Sequence, residues 1–596
     1  MMFTLKHLAA VRAVVLIAAA SLGSACSTGG DAKQPEQTQV AKGEVARGGW
    51  APAELSEVKG VPIAALRSAV QQRLAGSHPA TVGEDAWKHT KNLYARFQQA
   101  PLWMSEDGLE KDRAGALTNA VLAASTDAVR IDDYPVAELA QAIADVRNTK
   151  QPTAEQLANA DVLLTAAYAS LGEDLLVGSV DPKSVGQAWH IDAKEENVDS
   201  ALVRTLSMMP LDKSISAMRP GDEEYAAMQK ELTRYRELVA KGGWQPVPAG
   251  KPLKRGQTDS PQRLAALRAR LQAEGIDVAS VPPASPAGSD TGTGARRSAA
   301  SGSAVFDDGL AAAVAQFQAR HGINVDSSLG TETLNSLNVP AAYRLGQIAA
   351  NLERARWMPR SLGSRYIYVN VPAFHLSAFD AGKPTLEMKV IVGQEYEDKA
   401  TPVFSDSMEF VVFRPYWNIT PDIQAKEIGP KVASNPGYLA ENDMEYYKDG
   451  GTTRIRQKPG PKNSLGFVKF LFPNDFNIYL HDTPNHELFD KDVRAFSHGC
   501  IRVEKPAELA QWVLGWDAAK VDEAMQNGKD NQQIKLPKKI PVYIAYGTTY
   551  MRDGQLYFGN DLYHRDDQLV KAIAEGALPS DRAVKALEAL KRIATS

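Results

Sequence analysis

Residues 496–503 read Phe-Ser-His-Gly-Cys-Ile-Arg-Val and contain Cys500, one of the two cysteines in the chain. A second histidine, His481, lies a short distance upstream. These residue types suit thiol acyl transfer, in which the thiolate attacks a carbonyl, an imidazole takes the proton and helps to lower the thiol pKa, and backbone N–H groups receive the oxyanion. A free cysteine is more often a small buried apolar residue. Because its neighbours are polar and the strand pattern around it contains glycine, we expect Cys500 at a strand edge, as a nucleophile.

The sequence on both sides of this stretch predicts a domain of short β-strands. Alternating or apolar runs separated by Gly, Pro and Asn turns occur at positions 366–371, 388–390, 409–413, 467–472, 476–480 and 542–546. Many short strands with few helices indicate a β-sandwich or a partly open barrel. Pro506 begins a predicted helix that Gly515 ends, so we expect Cys500 at the end of a strand, just before a helix.

Two further segments belong to this part of the chain. Residues 421–458 are polar and helical in pattern, and they separate two of the predicted strands. They read either as an insertion that caps an active-site groove or as a solvated loop. Residues 564–596 are expected to form a C-terminal helical tail.

The first residues have the pattern of a secretory signal, predicted over 1–26. Lys6 and Arg12 precede a short apolar run at 13–22, and Gly-Ser-Ala-Cys follows at 23–26. The run is too short to cross a bilayer as a stable helix. We therefore expect the chain to be exported.

Cys26 occupies the position that bacterial lipoproteins acylate, directly after small residues. The alternative is ordinary cleavage after Ala25, which would leave a free thiol able to pair with Cys500 in an oxidising compartment. Acylation would remove that hazard. We therefore favour a lipid anchor at Cys26.

The region before the β domain is predicted to be mostly helical. Residues 27–54 hold almost no large apolar side chains and read as a disordered tether. Residues 55–250 are rich in alanine, and apolar residues recur at helical spacing, as in Leu66, Val70 and Leu74. We expect an all-α scaffold without a catalytic constellation.

Residues 251–340 predict a smaller unit of three helices. Residues 281–303 are rich in Pro, Ala, Ser, Gly and Thr and read as a disordered insertion between its first two helices. Residues 315–323 read Ala-Gln-Phe-Gln-Ala-Arg-His-Gly-Ile, and 329–334 read Leu-Gly-Thr-Glu-Thr-Leu. This pattern resembles a three-helix peptidoglycan-binding module, although residues 326–328 replace the usual Asp-Gly. A packing module without a ligand is the alternative.

Composition excludes several functional classes. A hydrophobic fraction of 44% suits folded domains with real cores, and a formal net charge of −4 with no basic stripe gives no sign of nucleic-acid binding. The histidines near Cys500 lack the spacing of a zinc motif, and we find no phosphate-binding glycine loop. No metal and no cofactor is expected.

The long, ordered set of motifs in the last third of the chain resembles the L,D-transpeptidase catalytic family. The motifs are Gln-Lys-Pro-Gly-Pro-Lys-Asn-Ser-Leu-Gly at 457–466, Tyr-Leu-His-Asp-Thr-Pro at 479–484 and Ser-His-Gly-Cys-Ile-Arg-Val at 497–503. The resemblance is strongest to the large periplasmic members of gram-negative bacteria, and it covers about residues 87–563. It implies a multidomain α+β protein with an all-α scaffold, a three-helix peptidoglycan-binding module and a capped β-rich catalytic domain at 341–563.

The resemblance also implies roles for the central residues. Cys500 would attack the carbonyl of the third residue of a stem peptide, release D-alanine and leave a thioester. His481 would be the base, its ring oriented by a backbone carbonyl, whereas Asp482 reads as a turn residue. The N–H groups of Gly499 and Cys500 are the candidate oxyanion hole.

His498 is the competing base, but side chains at i and i+2 of a strand lie about 6.5–7 Å apart, beyond a direct hydrogen bond. A residue on a neighbouring strand approaches more closely, which favours His481. Arg502, on the same face as Cys500 by alternation, either holds a substrate carboxylate or pairs with a structural acid. The candidate substrate-binding residues are Tyr479, Ser497, His498, Arg502, Trp417 and Asn418.

The family resemblance favours 3→3 crosslinking, with diaminopimelate of a second stem peptide as the acceptor. Water as the acceptor would give an L,D-carboxypeptidase, and a lipoprotein lysine would give anchoring. A papain-like cell-wall thiol hydrolase would place its histidine after the cysteine, and here His481 precedes Cys500. A non-catalytic peptidoglycan-binding protein is the remaining alternative. Peptidoglycan stem peptides, and other cell-wall synthesis proteins, are the expected partners.

Overall fold

The computed structural model describes residues 50–186, 188–191, 197–208, 210–278, 305–396, 399–577 and 580–595. The predicted signal segment, Cys26, most of the predicted tether and the predicted insertion at 281–303 lie outside the described residues.

The scaffold is organised around one long helix that is buried along nearly its whole length. The scaffold helices are α1 (Ile63–Ala75), α2 (Glu84–Arg96), α3 (Lys111–Ala123), α4 (Val136–Asn148), α5 (Ala154–Val177), α6 (Val198–Leu206), α7 (Leu211–Ser216) and α8 (Glu223–Ala240). The central helix α5 begins at a capping box formed by Thr153 and Gln156, and Gly178 follows its end. Its apolar residues point in all directions because α1, α2 and α4 pack around it.

Five very short strands accompany these helices. Four of them form two small hairpins, β1 (Glu57–Val58) with β2 (Val61–Pro62) and β3 (Met104–Ser105) with β4 (Gly108–Leu109). The fifth, β5 (Trp189–His190), leaves the helices and pairs in parallel with a strand of the catalytic domain, with Trp189 opposite Val403. The scaffold region therefore contributes one strand to the catalytic sheet.

The three predicted helices of the smaller unit are present as α9 (Pro261–Ala273), α10 (Asp308–Arg320) and α11 (Thr331–Leu337). Their predicted inward residues, including Leu264, Leu267 and Phe317, share one buried core. His321 follows the end of α10, and Gly322 has a φ of +60°, a conformation that glycine adopts without strain. The next helix, α12 (Ala341–Arg356), packs on α8 of the scaffold.

The catalytic domain is a mixed β-sheet that closes on itself. Its strands, with those of the cap and of a final hairpin, are β6 (Arg365–Asn370), β7 (His375–Asp380), β8 (Lys383–Gly393), β9 (Val403–Phe413), β10 (Trp417–Asn418), β11 (Met444–Asp449), β12 (Thr452–Gln457), β13 (Val468–Leu471), β14 (Leu480–His481), β15 (Ala495–Ser497), β16 (Ile501–Val503), β17 (Gln532–Ala545), β18 (Thr549–Arg552) and β19 (Gln555–Phe558). The order is β13-β14-β16-β8-β7-β6-β17-β9, and β9 also pairs with β13, which closes the ring. The predicted α+β fold class is confirmed.

The insertion between β9 and β13 is a folded cap. It combines β10, β11 and β12 with α13 (Pro421–Ile423), a π-helical turn (Gln424–Ile428), α14 (Gly429–Ser434) and α15 (Tyr438–Glu441). A small core of Ile419, Ile428, Met444 and Ile455 holds the helices against the three strands. The segment therefore has its own core, unlike a solvated loop.

After Cys500 the chain forms α16 (Pro506–Leu514) and α17 (Ala518–Gln526), and Gly515 ends α16 in the left-handed conformation as predicted. The C-terminal tail forms α18 (Asp566–Ala577) and α19 (Asp581–Thr595), and both return to the helical region. Helix α18 packs on α12, where Asp566 meets Arg354 at 2.6 Å, and α19 packs on α3 and α4. The tail therefore joins the catalytic domain to the scaffold.

One predicted strand is much shorter in the structure. The pattern predicts a strand at 476–480, but only Leu480 and His481 pair in β14. Asn474 diverts the chain before them, because its side chain accepts hydrogen bonds from the N–H groups of Phe476 and Ile478 at 3.0 and 3.1 Å. A short polar side chain that bonds its own backbone in this way favours a turn over a ladder.

Candidate active site

Three neighbouring strands place three basic side chains in one row. Lys469 on β13 lies opposite His481 on β14, and His481 lies opposite Arg502 on β16. Residues opposite each other on paired strands share a face, so the three side chains project from the same side of the sheet. The apolar residues between them, including Phe470 and Leu480, face the other way and are buried in the barrel core. We call Lys469, His481 and Arg502 the basic row.

Cys500 lies in the turn between β15 and β16, one residue before β16 begins. The prediction that it ends a strand is wrong in this detail, because β15 already stops at Ser497 and the helix α16 begins six residues after Cys500. The parallel register of β14 and β16 brings Cys500 beside Tyr479, two residues from His481 on the same face. Cys500 is partly buried at the end of the basic row.

The backbone of this turn is held by one buried hydroxyl. Ser497 Oγ donates to the Cys500 carbonyl at 2.5 Å and accepts from the Gly499 N–H at 3.2 Å. Gly499 has a φ of +105°, which strains any other residue, and its missing side chain lets Ile478 approach closely. Ser497 therefore shapes the turn, and its hydroxyl is engaged by the backbone of the turn itself.

Of the two candidate oxyanion donors, one N–H group is already occupied and the other is not. The Gly499 N–H is already used by Ser497. The Cys500 N–H has no acceptor within the described part of the chain. Of the predicted pair, only the Cys500 N–H is open to an incoming oxygen.

A second layer of residues supports the turn, and the sequence analysis missed it. Thr401 Oγ1 donates to the Gly499 carbonyl at 2.8 Å and accepts from the Gly393 N–H at 2.9 Å. Tyr563 donates to the Gly393 carbonyl at 2.8 Å and accepts from the Thr401 N–H at 3.1 Å. These two residues come from segments about 100 residues before and 60 residues after the turn along the sequence, so no local pattern connects them to it.

His481 is buried, and its ring is oriented by a backbone carbonyl. Its Nδ1 donates to the carbonyl of Asp482 at 2.5 Å, which leaves Nε2 as the acceptor nitrogen. Burial lowers the pKa of His481 to about 3, and the positive charges of Arg502 and Lys469 act in the same direction. The imidazole is therefore neutral at physiological pH and able to accept a proton.

The Asp482 carboxylate does not approach the His481 ring nitrogens. It accepts from the Phe467 N–H at 2.8 Å and from the Thr483 N–H at 2.7 Å. Gly466 passes so close that an added Cβ would lie 2.2 Å from Asp482 Oδ2. Asp482 thus clamps the start of β13 to the end of β14.

Burial raises the pKa of the Cys500 thiol, so the sequence-based expectation of a lowered thiol pKa is wrong for the unliganded site. The hydrogen bonds of Tyr479 and the charges of Arg502 and Lys469 oppose this effect without overcoming it. Burial, and then the neighbouring Cys500, raise the pKa of Tyr479 well above its ordinary value. At neutral pH Cys500 is therefore a thiol and His481 a neutral imidazole, both on the same face of the sheet.

The other residue predicted to be near the site, His498, points towards the cap. Its Nε2 donates to Glu427 Oε1 in the π-helical turn at 2.6 Å, and Lys399 Nζ lies 3.6 Å from the same oxygen. Burial alone would raise the pKa of Glu427. The interactions with His498 and, to a smaller extent, with Lys399 outweigh burial, so the pKa of Glu427 is lowered. The contact ties the cap to the turn that carries Cys500.

Trp417 and Asn418, predicted as substrate-binding residues, belong to the cap. They form β10 and pair with Gln457 and Arg456 of β12. Trp417 packs partly against the small cap core. The structure brings Tyr479, His481, Arg502 and Cys500 together, and adds Lys469.

Within the described residues, no three His, Cys, Asp or Glu side chains come together as a set that could hold a metal ion. None of the helices in that part of the chain is both long enough and apolar enough to cross a membrane.

Three family models match the chain in separate segments. Residues 364–544 match the L,D-transpeptidase catalytic domain, residues 88–232 match the scaffold domain, and residues 262–337 match the "Putative peptidoglycan binding domain". The catalytic match contains the whole basic row and Cys500. The scaffold and binding matches coincide with the helical units described above.

Three individual proteins are similar to parts of this chain. A Haemophilus influenzae protein described as "Putative L,D-transpeptidase" is 30% identical over 243 residues, which cover 37% of this chain and 48% of that relative, so the chain spans about half of its length. Among solved structures, the L,D-transpeptidase (residues 123–326) from Xylanimonas cellulosilytica is 14% identical, with 50% of this chain and 100% of that chain covered and a TM-score of 0.15. The Ldtfm-avibactam carbamoyl enzyme is 15% identical, with 32% and 51% covered and a TM-score of 0.15.

Proposed function

The chain carries a catalytic domain of the L,D-transpeptidase family beside a scaffold domain and a peptidoglycan-binding domain, and from this we propose that it forms 3→3 crosslinks between peptidoglycan stem peptides. The donor is a tetrapeptide stem, and the acceptor is the side-chain amine of diaminopimelate on a second stem. Cys500 is the nucleophile and His481 the base.

The observation that carries the proposal is the placement of a partly buried thiol and a neutral, buried imidazole on one face of the sheet. His481 keeps its acceptor nitrogen because Nδ1 is held by the Asp482 carbonyl. As the Cys500 sulfur attacks the carbonyl of the third stem residue, its proton passes to His481. The open Cys500 N–H is positioned to donate to the oxyanion that forms.

The intermediate then collapses with loss of the terminal residue. The peptide C–N bond breaks, the protonated His481 gives its proton to the leaving nitrogen, and D-alanine departs. The thioester that remains on Cys500 is attacked by the acceptor amine. His481 takes a proton from the attacking amine as the C–S bond of the thioester breaks. The proton then returns to the Cys500 sulfur, which restores the thiol.

We also propose the setting in which this reaction takes place. The exported pattern of residues 1–26 supports work in the periplasm, with Cys26 as the site of a lipid anchor. The helical unit at 262–337 supports binding to peptidoglycan, because it matches a family of that description. Both proposals concern the whole protein and are separate from the chemistry at Cys500.

The test is a muropeptide analysis of tetrapeptide-rich sacculi incubated with the purified mature protein or with Cys500→Ala. New 3→3 dimers with the wild-type protein alone are the expected result. Tripeptides without dimers would mean that water is the acceptor and the protein is an L,D-carboxypeptidase. Unchanged muropeptides with both proteins, together with retained binding to sacculi, would replace the proposal with a non-catalytic binding role.

A further inference from the structure

The two cations of the basic row have no acidic partner. The side chains of Lys469 and Arg502 form neither an ion pair nor a hydrogen bond within the described ranges, and Arg502 Nε is buried without an acceptor. The nearest aromatic contact of Lys469 is the Tyr479 ring, 5.9 Å from Nζ. Buried or half-buried charges in folded proteins normally have partners. An anion from outside the described chain would complete this site.

Three other arginines in the protein have carboxylate partners. Arg354 pairs with Asp566 at 2.6 Å, Arg270 pairs with Glu274 at 2.7 Å, and Arg414 pairs with Asp530 at 2.7 Å. The pairs at Arg354 and Arg270 are buried more deeply than the basic row. The protein can thus place carboxylates opposite its cations, and at the basic row it does not.

We propose that Lys469 and Arg502 bind the carboxylate carried by the same carbon as the reacting nitrogen, first in the leaving D-amino acid and then in the entering acceptor. The inference rests on the proposed function and names the feature of the substrates that this site reads. Lys469 and Arg502 are thereby specificity-determining residues of the reaction.

The position of His481 in the row leads to this assignment. His481 must come within about 2.6–3.2 Å of the leaving nitrogen to protonate it. If the carbon bonded to that nitrogen also carries a carboxylate, the carboxylate carbon lies only about 2.5 Å from the nitrogen. Neighbouring strands are about 4.8 Å apart, so a carboxylate attached at this point falls between the two strands that flank His481. Those strands carry Lys469 and Arg502.

The chemistry of both half-reactions agrees with one shared carboxylate site. D-alanine leaves as an amine with a carboxylate on the same carbon. The side-chain amine of diaminopimelate also stands on a carbon that carries a carboxylate, so it enters the position that D-alanine has left. Water has no such group. The two cations therefore favour aminolysis of the thioester over hydrolysis.

The cations also act on the thiol itself, and this effect must be separated from substrate binding. Lys469 and Arg502 both favour the charged form of Cys500. If that were their whole role, removing Lys469 would change the pH dependence of thiol reactivity towards every electrophile. A substrate-binding role predicts an additional loss of rate that falls only on substrates that carry the carboxylate.

The experiment compares two donors, a tetrapeptide that ends in D-alanine and the same peptide ending in D-alaninamide. Acyl-enzyme formation is followed by intact-protein mass spectrometry for the wild type, Lys469→Met, Lys469→Arg and Lys535→Met. Lys535 is an exposed residue of β17 in the same barrel and serves as the matched control. Alkylation of Cys500 by iodoacetamide, a neutral reagent, is measured against pH for each protein.

We expect the wild type and Lys535→Met to prefer the acid donor by about 10- to 100-fold, the range of a charge-assisted hydrogen bond. Lys469→Met should lose most of this preference, whatever its absolute rate with the amide, and should yield more tripeptide relative to dimer. Lys469→Arg should restore the preference, and its alkylation profile should coincide with that of the wild type, because both proteins carry a positive charge at position 469.

Three results would overturn the inference. Equal rates of the wild type with both donors would remove the carboxylate site while leaving the proposed function intact. A preference that survives in Lys469→Met together with a shifted alkylation profile would assign Lys469 to the thiol alone. No acyl-enzyme from either donor with the wild type would remove the proposed function, and the inference with it.

Discussion

His321 and His481 are both buried, and their surroundings differ in charge balance. His321, at the end of α10, meets the Glu274 carboxylate at 2.9 Å, and Arg270 meets the same carboxylate at 2.7 Å. Its ring stacks on Phe317 with 3.9 Å between centroids. His481 instead lies between two cations and has no carboxylate partner within the described residues.

The lowered pKa does not distinguish the two sites. Burial is the first cause in both, and the pKa is about 4 for His321 and about 3 for His481. The two sites differ in whether the charged groups around the histidine have partners of opposite charge. The cluster around Glu274 satisfies its own charges and so stabilises the contact between the helical unit and the hairpin residue Phe558. The basic row leaves two cations open, and this imbalance marks it as a site for a ligand.

The largest effect is expected when each of the two histidines is replaced by asparagine in a separate variant. His481→Asn should lower kcat/KM for acyl-enzyme formation by about 10²- to 10⁴-fold, because the thiol loses its base. His321→Asn should leave this rate within about threefold per folded molecule. Stopped-flow acylation, corrected by the folded fraction from circular dichroism, checks both. Equal losses of kcat/KM in the two variants would show that the difference between the two histidine sites has no bearing on acylation.

The second prediction concerns the free energy of unfolding, and here the larger effect is expected at the cluster around Glu274. Glu274→Gln should lower the free energy of unfolding by about 3–5 kcal/mol, because Arg270 then stays buried without its partner charge. Lys469→Met should change the same quantity by less than about 1 kcal/mol, since it breaks no ion pair. Urea titrations followed by tryptophan fluorescence measure both, and Trp244, 3.6 Å from the Arg270 guanidinium, reports locally. A larger loss in Lys469→Met would contradict the account.

The third prediction uses pH. His481 has a pKa of about 3 in the folded protein, against about 6.5 in the unfolded chain. Between these values the unfolded chain binds a proton that the folded protein does not, so the contribution of His481 makes the wild type less stable as the pH falls. His481→Gln removes this penalty and should be more stable than the wild type by about 2 kcal/mol at pH 5.

The control for that prediction is the same pair of proteins at pH 8, where His481 is neutral in both states and no such difference arises from its titration. Thermal and urea unfolding at the two pH values provide the comparison. A stability difference that is the same at pH 5 and pH 8 would show that packing, and not protonation, separates the variants.

The smallest effect is expected at the contact between the cap and the catalytic turn. The pair between Glu427 and His498 is partly exposed, so Glu427→Gln should cost less than about 1 kcal/mol of stability. A bulky maleimide should nevertheless alkylate Cys500 up to about threefold faster, because a weaker contact lets the cap open more often. Asp422→Asn, an exposed cap position, is the matched control. Unchanged rates in Glu427→Gln would assign the cap no role in access.

The sequence was sufficient for the parts of this molecule that depend on local pattern. The helices around Leu264 and Phe317, the helix between Pro506 and Gly515, and most barrel strands follow from periodicity and turn residues. The pairing of Cys500 with His481 could be proposed because the motifs around them are distinctive. The roles assigned to these two residues stay predictions until they are tested.

The residues that the sequence did not reveal depend on long-range register. Lys469 looks like any polar position of a half-exposed strand until β13 pairs with β14 and brings it opposite His481. Thr401 and Tyr563 reach the catalytic turn only through the closed barrel. The polar pattern around Glu427 suited a solvated loop equally well. Such contacts are fixed by the pairing of distant segments, which periodicity does not encode.

The most direct test of the central claim is the mass of the intact protein after incubation with a tetrapeptide donor. The account predicts that the wild type gains the mass of a tripeptide acyl group, and that peptide mapping places it on Cys500. Cys500→Ala should gain nothing, and His481→Asn should gain it far more slowly. The same adduct on the Cys500→Ala protein, or an adduct mapped elsewhere in the wild type, would contradict the assignment of the basic row and Cys500 as the catalytic centre.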